Sequence, residues 1–324
     1  MHPLPHRRTA LLGLALAPLA APVHAQGWPQ RPLRLVAPYA PGGTTDQLAR
    51  SWAEILAREL GQTVVVENRP GANTIIGTEL VARSVPDGHT LLMASGASMV
   101  LNPLLYRRLP YDTDRDLITL ALIVETPLVM VVPRALPAQD VAQFVALARS
   151  RPMNVASVGV GNPLHLAAEL FAAAAGVELQ NVVYPGSAPA LTALLAGDVQ
   201  VMFDAVATAL PLVRDGRLRA LAVTTRERIA VLPEVPALAE TYPGYEATTW
   251  FGVAAPRGIP AEVEARLRSA LAAIPADAAF RARFGALGLI IHPPRDAAAL
   301  AAVIAEQRAR WAEVIRSRQL RLEL

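Results

Sequence analysis

Short apolar runs alternate with helix-length amphipathic segments along almost the whole chain. Strands are predicted at residues 34–38, 64–66 and 90–94, and helices over residues 44–60 and 74–83 lie between them. The same alternation resumes after residue 117 and continues to the last predicted helix, which begins at residue 296. Alternation of this kind is typical of βαβ units, in which helices cover both faces of a mostly parallel sheet. We therefore expect an α/β fold, and 324 residues suggest two lobes at roughly 150 residues per domain.

Two segments bear on where these elements begin and end. Residues 117–132 contain two strand-like runs separated by Thr126 and Pro127. We expect a break between the two strands there, because proline is unusual inside a strand. Pro137 is expected to start the next helix, which runs through residue 148. Asn162 and Pro163 have the order of a helix N-cap and first turn, and Gly176 is the expected end of that helix.

The residue types that are missing exclude several chemistries. The chain has no cysteine, which excludes disulfides, thiol nucleophiles and cysteine-ligated metals. All 30 basic residues are arginine, so Schiff-base, pyridoxal-phosphate and Walker A lysine chemistry is excluded as well. Arginine does not deprotonate in proteins and cannot replace lysine in these roles.

The first 25 residues are typical of a cleavable secretory signal. Basic residues at positions 6–8 precede an apolar stretch at 10–21, and Val23-His24-Ala25 is a small-x-small cleavage site. The apolar stretch is too short to span a bilayer, although a retained membrane anchor stays open as the alternative. We expect cleavage after Ala25 and a periplasmic protein. Arg7 and Arg8 leave both the general secretory route and the twin-arginine route open.

Removal of this signal changes the apparent charge of the protein. The full chain has a formal net charge of +3, but without Arg7 and Arg8 there are 28 arginines against 27 acidic residues, or +1. A nearly neutral body gives no reason to expect a nucleic-acid partner. The core is expected to be large enough to be stable without disulfides.

Four strand-to-helix junctions are rich in glycine and hydroxyl residues. They lie at residues 39–46, 95–98, 157–162 and 185–187. In parallel sheets, ligands bind beyond the carboxyl ends of the strands, where helix N-termini favour anions. No arginine lies in any of the four junctions, so helix ends and hydroxyls are the expected donors to a small carboxylate.

Three side chains near these junctions each have two interpretations. His165 is either a ligand donor or a structural histidine in the first turn of its helix. Asp46 is either a partner of the helix dipole or a ligand contact, and Asp204 binds either an amine or hydroxyl of a ligand or a neighbouring loop. No histidine pair has metal-ligand spacing, and neither a G-x-S-x-G nucleophile elbow nor a dinucleotide-binding fingerprint is present.

Ordered motifs along nearly the whole mature chain resemble the Bug-type solute receptors. These receptors are the extracytoplasmic binding proteins of the tripartite tricarboxylate transporter family. The matching segments are residues 28–46 (WPQRPLRLVAPYAPGGTTD), 64–72 (VVVENRPGA), 86–92 (PDGHTLL), 102–106 (NPLLY), 165–171 (HLAAELF), 184–190 (YPGSAPA), 197–204 (GDVQVMFD), 218–224 (LRALAVT), 232–236 (LPEVP) and 250–252 (WFG).

The resemblance implies a two-lobed periplasmic binding protein, similar to type II binding proteins, with mostly parallel sheets and a central ligand cleft. Lobe 1 would comprise residues 26–125 and 226–324, and lobe 2 residues 126–225, with hinges near Glu125-Thr126 and Thr224-Thr225. The site residues carried over from the family's loops are Tyr39, Gly42, Gly43, Thr44, Thr45, Asp46, Ser95, Gly96, Ser98, Ser157, Gly161, Asn162, His165, Gly186 and Asp204.

Two departures from the family pattern affect the wall of the implied pocket. The family often has a small hydroxyl residue in the region where this chain has Gly161-Asn162-Pro163. It often has a basic residue at the position of Pro185. Both changes concern the identity of the ligand and leave the expected fold unaltered.

The resulting hypothesis is a non-catalytic, monomeric receptor without cofactor or metal. It would capture a small organic carboxylate between its lobes and deliver it to the membrane permease subunits of a tripartite transporter. Two alternatives remain at this point. One is an exported enzyme on the same scaffold, with His165 and Asp204 as its acid/base pair, and the other is a sensory receptor that presents its bound ligand to a two-component kinase.

Overall fold

The computed structural model describes residues 27–317, so the predicted signal segment and residues 318–324 lie outside the described part of the chain. The described strands are β1 (Leu33–Ala37), β2 (Val64–Asn68), β3 (Thr90–Ser95), β4 (Leu117–Pro133), β5 (Met153–Ser157), β6 (Leu179–Val183), β7 (Val201–Ala205), β8 (Leu218–Val223), β9 (Thr248–Pro256) and β10 (Ile290–Ile291). The described helices are α1 (Thr44–Leu60), α2 (Ile75–Ala82), α3 (Asn102–Leu105), α4 (Val141–Ser150), α5 (Pro163–Ala175), α6 (Ser187–Ala196), α7 (Val206–Arg214), α8 (Leu238–Thr241), α9 (Ala261–Ala276), α10 (Ala278–Gly285) and α11 (Ala297–Ser317). A π-helical turn over Ala97–Leu101 precedes α3.

The strands form one sheet in the order β2-β1-β3-β9-β4-β7-β5-β6, and β8 and β10 also pair with β4. Residues 117–127 of β4 pair with β9, and residues 128–133 pair with β7 or β8. We call the strands joined to the first part of β4 the first half-sheet, which contains β2, β1, β3, β9 and β10. The second half-sheet contains β6, β5, β7, β8 and the last part of β4.

Both half-sheets repeat one strand order. The first reads β2-β1-β3-β9-β4, and the second reads β6-β5-β7-β4-β8. In each, three strands are parallel, the next is antiparallel, and the last returns to the direction of the first three. Most strands of each half-sheet therefore run in one direction, and the predicted α/β class with mostly parallel sheets is confirmed.

The break predicted at Thr126 and Pro127 is wrong, because β4 is a single strand through both residues. On one edge of β4, the first residue of β10 pairs with Glu125 and the last residue of β7 pairs with Leu128, so no strand lies beside Pro127 there. A proline without an N–H is tolerated in a strand where no partner needs that donor.

The helix expected to begin at Pro137 begins instead at Val141. Asp140 is its N-cap, and the carboxylate accepts a hydrogen bond from the Gln143 backbone N–H at 2.8 Å. A capping carboxylate satisfies one of the unpaired donors of the first turn, which Pro137 cannot do. The N-cap at Asn162 and the end of α5 at Gly176 agree with the prediction.

Two apolar clusters hold the helices against the sheet. Trp52 and Leu56 of α1 are buried against the first half-sheet. In the second half-sheet, the ring of Phe171 lies 5.6 Å from that of Phe203 and 6.1 Å from that of Phe144. Burial of one large side chain contributes about 1.5–3 kcal/mol to the free energy of unfolding, which explains how the fold is stable without disulfides.

The chain crosses between the half-sheets in β4 and again between β8 and β9. The segment between β8 and β9 lies against the second half-sheet: Val223 donates its N–H to Pro236, and the Tyr245 hydroxyl donates to the Ala167 carbonyl at 2.9 Å. Within residues 27–317, no helix has both the length and the apolar composition that a membrane span requires.

Candidate functional site

The carboxyl ends of the parallel strands of the two half-sheets point toward each other along β4. Ser95, at the end of β3, and Val124 of β4 both pair with Phe251 of β9, so they lie at the same level of the sheet. Asp204, near the end of β7, pairs with Val129 of β4. Because β7 runs opposite to β4, both sets of ends approach the middle of β4, roughly 16 Å apart along it. The register thus brings the four predicted junctions toward the region where β4 changes partners.

The first junction is organised around the carboxylate of Asp46. It accepts hydrogen bonds from the Gly42 backbone N–H at 3.1 Å, from Arg50 Nε at 2.9 Å and from Asn68 Nδ2 at 3.1 Å. Gly42 has φ = 87°, which glycine adopts without strain. Burial acts to raise the pKa of Asp46, but hydrogen bonds from Arg50, Gly42 and Asn68 outweigh it and keep the pKa below its ordinary value. Asp46 therefore shapes the loop as a carboxylate anion.

The second junction is linked to the first by one hydrogen bond. The Tyr39 hydroxyl donates to Ser95 Oγ at 2.8 Å, and burial raises the pKa of Tyr39 well above its ordinary value, so the phenol stays a neutral donor. Ser98 Oγ accepts the Ser95 backbone N–H at 3.0 Å and donates to the Ser95 carbonyl at 3.2 Å. Ser95, Gly96 and Ser98 are buried, so this loop is a rigid support in the structure.

Asn102 connects this support to a strained turn. Ala72, Asn73 and Thr74 all have positive φ, and Asn102 Nδ2 donates to the Asn73 carbonyl at 2.8 Å while Asn102 Oδ1 accepts from Asn73 Nδ2 at 2.9 Å. Backbone in this region costs about 1–3 kcal/mol per non-glycine residue and persists only where its surroundings hold it. The Tyr111 hydroxyl also donates to the Ser98 carbonyl, at 3.2 Å, which ties this network to the second junction.

His165 organises the third junction. Its Nδ1 accepts the Gly161 backbone N–H at 3.2 Å, and its Nε2 lies 3.5 Å from Glu169 Oε1. Burial lowers the pKa of His165 below its ordinary value, while the Glu169 carboxylate opposes that shift. The ring is therefore neutral near pH 7, with its proton on Nε2, because Nδ1 acts as the acceptor. Of the two interpretations of His165, these contacts favour the structural one.

Asp204 joins the fourth junction to α7. Its carboxylate accepts hydrogen bonds from the Ser187 hydroxyl at 2.8 Å and from the Thr208 hydroxyl at 2.6 Å. Burial raises the pKa of Asp204, and the hydrogen bonds from Thr208, Ser187 and the Ala205 backbone only partly oppose this. Asp204 is fully buried, and neither hydroxyl that donates to its carboxylate brings it into contact with His165.

The fifteen predicted site residues fall into two groups by exposure. Some are partly or fully exposed and form the accessible part of the loops; they are Tyr39, Gly42, Gly43, Thr44, Thr45 and Gly186. Buried residues support these loops; they are Asp46, Ser95, Gly96, Ser98, Ser157, Gly161, Asn162, His165 and Asp204. The Ser157 hydroxyl is buried without a hydrogen-bond partner in the described part of the chain.

Sequence reasoning missed several residues that support the loops. Arg50 and Glu169 follow Asp46 and His165 by four residues, and this helical spacing is a signal that the sequence contains. Thr208 likewise follows Asp204 by four residues. Asn68 carries no such local signal, because its contact with Asp46 depends on how β2 pairs with β1.

The sequence profile of the tripartite tricarboxylate transporter family receptors matches residues 48–320. The chain belongs to this family. It is 36% identical over 327 residues to the protein BugT of Bordetella pertussis, covering 98% of this chain and 99% of BugT. The family and its structural neighbours are periplasmic substrate-binding proteins and not enzymes, so this receptor is not an enzyme either.

Two solved structures of other proteins resemble the receptor closely. "R. palustris Rpa4515 with adipate" is 34% identical with a TM-score of 0.87, covering 92% of this chain and 100% of that one. MatC from Rhodopseudomonas palustris with bound malate is 32% identical with a TM-score of 0.83, covering 89% of this chain and 100% of that one. The predicted resemblance to Bug-type receptors is thus confirmed along almost the whole length of the protein.

Proposed function

We propose that this receptor captures a small dicarboxylate between two lobes and delivers it to the membrane permease subunits of a tripartite transporter. The observation that carries the proposal is the binding of adipate and malate by two relatives of the same fold. Both ligands have carboxylates at two ends of a short carbon chain, which suits loops that approach each other from two half-sheets.

The donors in the exposed loops favour a carboxylate. Gly42 and Gly43 lead into α1 without side chains that would block the backbone, and Thr44 and Thr45 add two hydroxyls. Gly186 precedes α6 in the same way. Unpaired N–H groups and the dipole at a helix N-terminus favour an anion. On this proposal, the exposed group contacts the solute and the buried group keeps the loops in shape.

The two lobes that we propose are divided where the chain crosses between the half-sheets, in β4 and between β8 and β9. The sequence assigns residues 26–125 and 226–324 to lobe 1 and residues 126–225 to lobe 2. The contacts of Tyr245 with α5 and of Pro236 with β8 favour extending lobe 2 to residue 246, with hinges near Thr126 and Ala247. Movement about these points would close the loops on the solute.

Export as a periplasmic protein, with cleavage after Ala25, and a monomeric state belong to the same proposal. The mass of the protein recovered from the periplasm tests the cleavage site, and light scattering on a sizing column tests the monomer. Loss of solute uptake after deletion of the gene, restored by the intact chain, tests delivery to the permease.

The ligand class is tested by thermal unfolding of the purified protein with malate, succinate, adipate and citrate, and with glucose as the neutral control. A ligand at a hundredfold excess over its Kd stabilises the folded state by about 2.7 kcal/mol. We expect stabilisation by at least one dicarboxylate, confirmed by calorimetric titration. Stabilisation by glucose and by none of the acids would contradict the proposal.

A further inference from the structure

In each half-sheet, a side chain at the start of a helix accepts a hydrogen bond from the glycine loop before that helix. The side chain is an aspartate in the first half-sheet and a histidine in the second. Asp46 is the third residue of α1 and His165 is the third residue of α5, and these helices follow the equivalent strands β1 and β5. Asp46 accepts the N–H of Gly42 at 3.1 Å, and His165 accepts the N–H of Gly161 at 3.2 Å. In both cases the glycine precedes the acceptor by four residues and has positive φ, 87° at Gly42 and 76° at Gly161.

The correspondence extends one turn further along each helix. Arg50 pairs with Asp46 at 2.9 Å, and Glu169 lies 3.5 Å from His165, each four residues after its partner. The acid and the base have exchanged places between the half-sheets. Each pair orients the acceptor toward its glycine loop, so the two pairs perform one structural task.

The two acceptors differ in how they respond to acid. A carboxylate accepts a hydrogen bond until it is protonated, and the pKa of Asp46 lies below that of an ordinary aspartate. Imidazole accepts through Nδ1 only while it is neutral, because both nitrogens of the protonated ring are donors. A protonated His165 would direct an N–H at the N–H of Gly161, and the hydrogen bond would become a repulsion.

We propose that His165 is a positioning residue for the loop over residues 159–162, and that its protonation releases this loop and weakens solute binding while the Gly42 loop stays in place. The inference rests on the proposed function for its effect on solute, but its effect on the loop does not. Acid-sensitive affinity of this kind would let a receptor lose its solute as the pH falls.

Few other titratable or charged groups near His165 could make the loop over residues 159–162 respond to acid. On its own helix, Glu169 faces Nε2. Among the strands that pack against α5, β5, β6 and β9 carry no charged residues, and β7 carries Asp204, whose carboxylate is held by Ser187 and Thr208. Other elements that contact α5 contribute Arg149, which donates to the Ala175 carbonyl at the far end of the helix, the Tyr245 hydroxyl, which donates to the Ala167 carbonyl, and Tyr242, whose ring packs on Phe171. Protonation of the ring would strengthen its attraction to Glu169, yet the lost acceptor at Nδ1 is not replaced.

The loop can be observed without any ligand. Glycine labelled with 15N in the full-length protein reports amide exchange at Gly161 and at Gly42, which serves as the internal control. The pH is lowered from 8 through the titration of His165, which its ring resonances report directly. Across that titration we expect the protection of Gly161 in the wild type to fall at least tenfold, with Gly42 unchanged. His165→Asn places an amide oxygen near the position of Nδ1 and should protect Gly161 at every pH. His165→Ala should leave it unprotected at every pH.

Adipate is the probe for the effect on binding. Adipate itself gains a proton in mild acid, so each affinity is compared with that of His165→Asn at the same pH. Across the titration of His165, we expect the wild type to lose at least fivefold more affinity than His165→Asn does. His89→Asn, which alters a histidine that packs against Trp28 at the end of β3 opposite Ser95, is the matched control and should keep the wild-type pH profile.

The outcomes separate the two proposals. Protection of Gly161 that stays constant while His165 titrates, or that falls equally in His165→Asn, overturns the positioning role whatever adipate does. If the amide result is as expected but adipate, malate, succinate and citrate all fail to bind the wild type, the positioning role stands and the proposed ligand class fails. Binding of adipate with an identical pH profile in the wild type and in His165→Asn overturns the acid-sensitive affinity.

Discussion

Thr224 and Leu128 fasten the two crossings of the chain to each other. The Thr224 hydroxyl donates to the Leu128 carbonyl at 3.0 Å and accepts the Leu128 N–H at 3.1 Å, and the Thr224 N–H donates to the same carbonyl at 3.0 Å. Both residues are buried, at the end of β8 and just beyond Pro127 in β4. Thr224 thus supplies the hydrogen bonds to this edge of β4 in the gap between the end of β8 and the start of β9.

Thr224→Val should therefore destabilise the protein by about 1–3 kcal/mol, because the buried Leu128 N–H loses its acceptor. Urea unfolding followed by circular dichroism measures this loss. Thr224→Ser keeps the hydroxyl and should lose less than half as much. Equal losses in the two variants would show that the methyl group, and not the hydrogen bonds, stabilises the crossing.

Asp204 should respond differently to two substitutions. Its pKa is raised by burial, so between the unfolded pKa of about 3.9 and the higher folded pKa the folded state holds a proton that the unfolded state releases. Stability consequently falls as the pH rises through this window, and the cost persists at neutral pH. Asp204→Asn removes the charge and should be at least as stable as the wild type at pH 7, with a smaller difference near pH 4.

Asp204→Ala is the comparison for that result. It leaves the Ser187 and Thr208 hydroxyls without their acceptor and should lose about 1–3 kcal/mol at pH 7. Thermal unfolding from pH 4 to pH 8 measures both variants. An Asn variant as unstable as the Ala variant at pH 7 would contradict the role assigned to burial.

Asp46 should show the opposite pH dependence. Its pKa is lowered in the folded state, so its stabilising contribution is complete above about pH 4 and is lost as the pH falls through the folded pKa. Asp46→Ala should cost about 1–3 kcal/mol at pH 7 because the Gly42 N–H and Asn68 lose an acceptor. The difference from the wild type should shrink below pH 4 in urea titrations. Arg50→Ala is the matched control, and it should cost less because its side chain is largely exposed.

Gly252→Ala should be among the most damaging single substitutions in β9. A Cβ at this position would lie 2.0 Å from the Ala121 carbonyl oxygen, and neither backbone segment can move without breaking the β4–β9 ladder. We expect a loss of more than about 3 kcal/mol, or failure to fold. Gly285→Ala, whose Cβ would meet no atom within 4 Å, should stay within about 1 kcal/mol of the wild type in the same thermal unfolding assay.

Local pattern was sufficient to predict most of the elements. The apolar spacing of Leu48, Trp52 and Leu56 gives α1 one buried face, and Gly61 ends the helix in a left-handed conformation, as its position in the sequence predicts. α4 begins four residues later than predicted, because the Asp140 carboxylate accepts an N–H of the first turn and Pro137 has no such acceptor. The break in β4 was predicted because proline is disfavoured within a ladder, a rule that depends on neighbours the sequence does not reveal.

The site was foreseen as four loops, but the roles within them were left open. Glycine, serine and threonine at strand ends indicated where backbone donors would gather. Whether His165 and Asp204 would meet a ligand or the protein could not be read from spacing, since Gly161 is local to His165 but Ser187 is 17 residues from Asp204. The bond from Thr208 is local, four residues from Asp204, but the bond from Ser187 depends on how α6 packs against the end of β7.

The sequence by itself determined the alternation of strands and helices, the glycine-rich loops at the strand ends and the membership of the receptor family. These properties depend on residues close together in the chain, or on motifs in a fixed order. Only the tertiary structure decided that β4 runs unbroken through Pro127, that the loops of two half-sheets approach each other along it, and that Asp46 and His165 are equivalent acceptors. Each of these follows from the pairing of strands distant in sequence, because a hydrogen-bond partner across a sheet is set by register and not by the residues on either side.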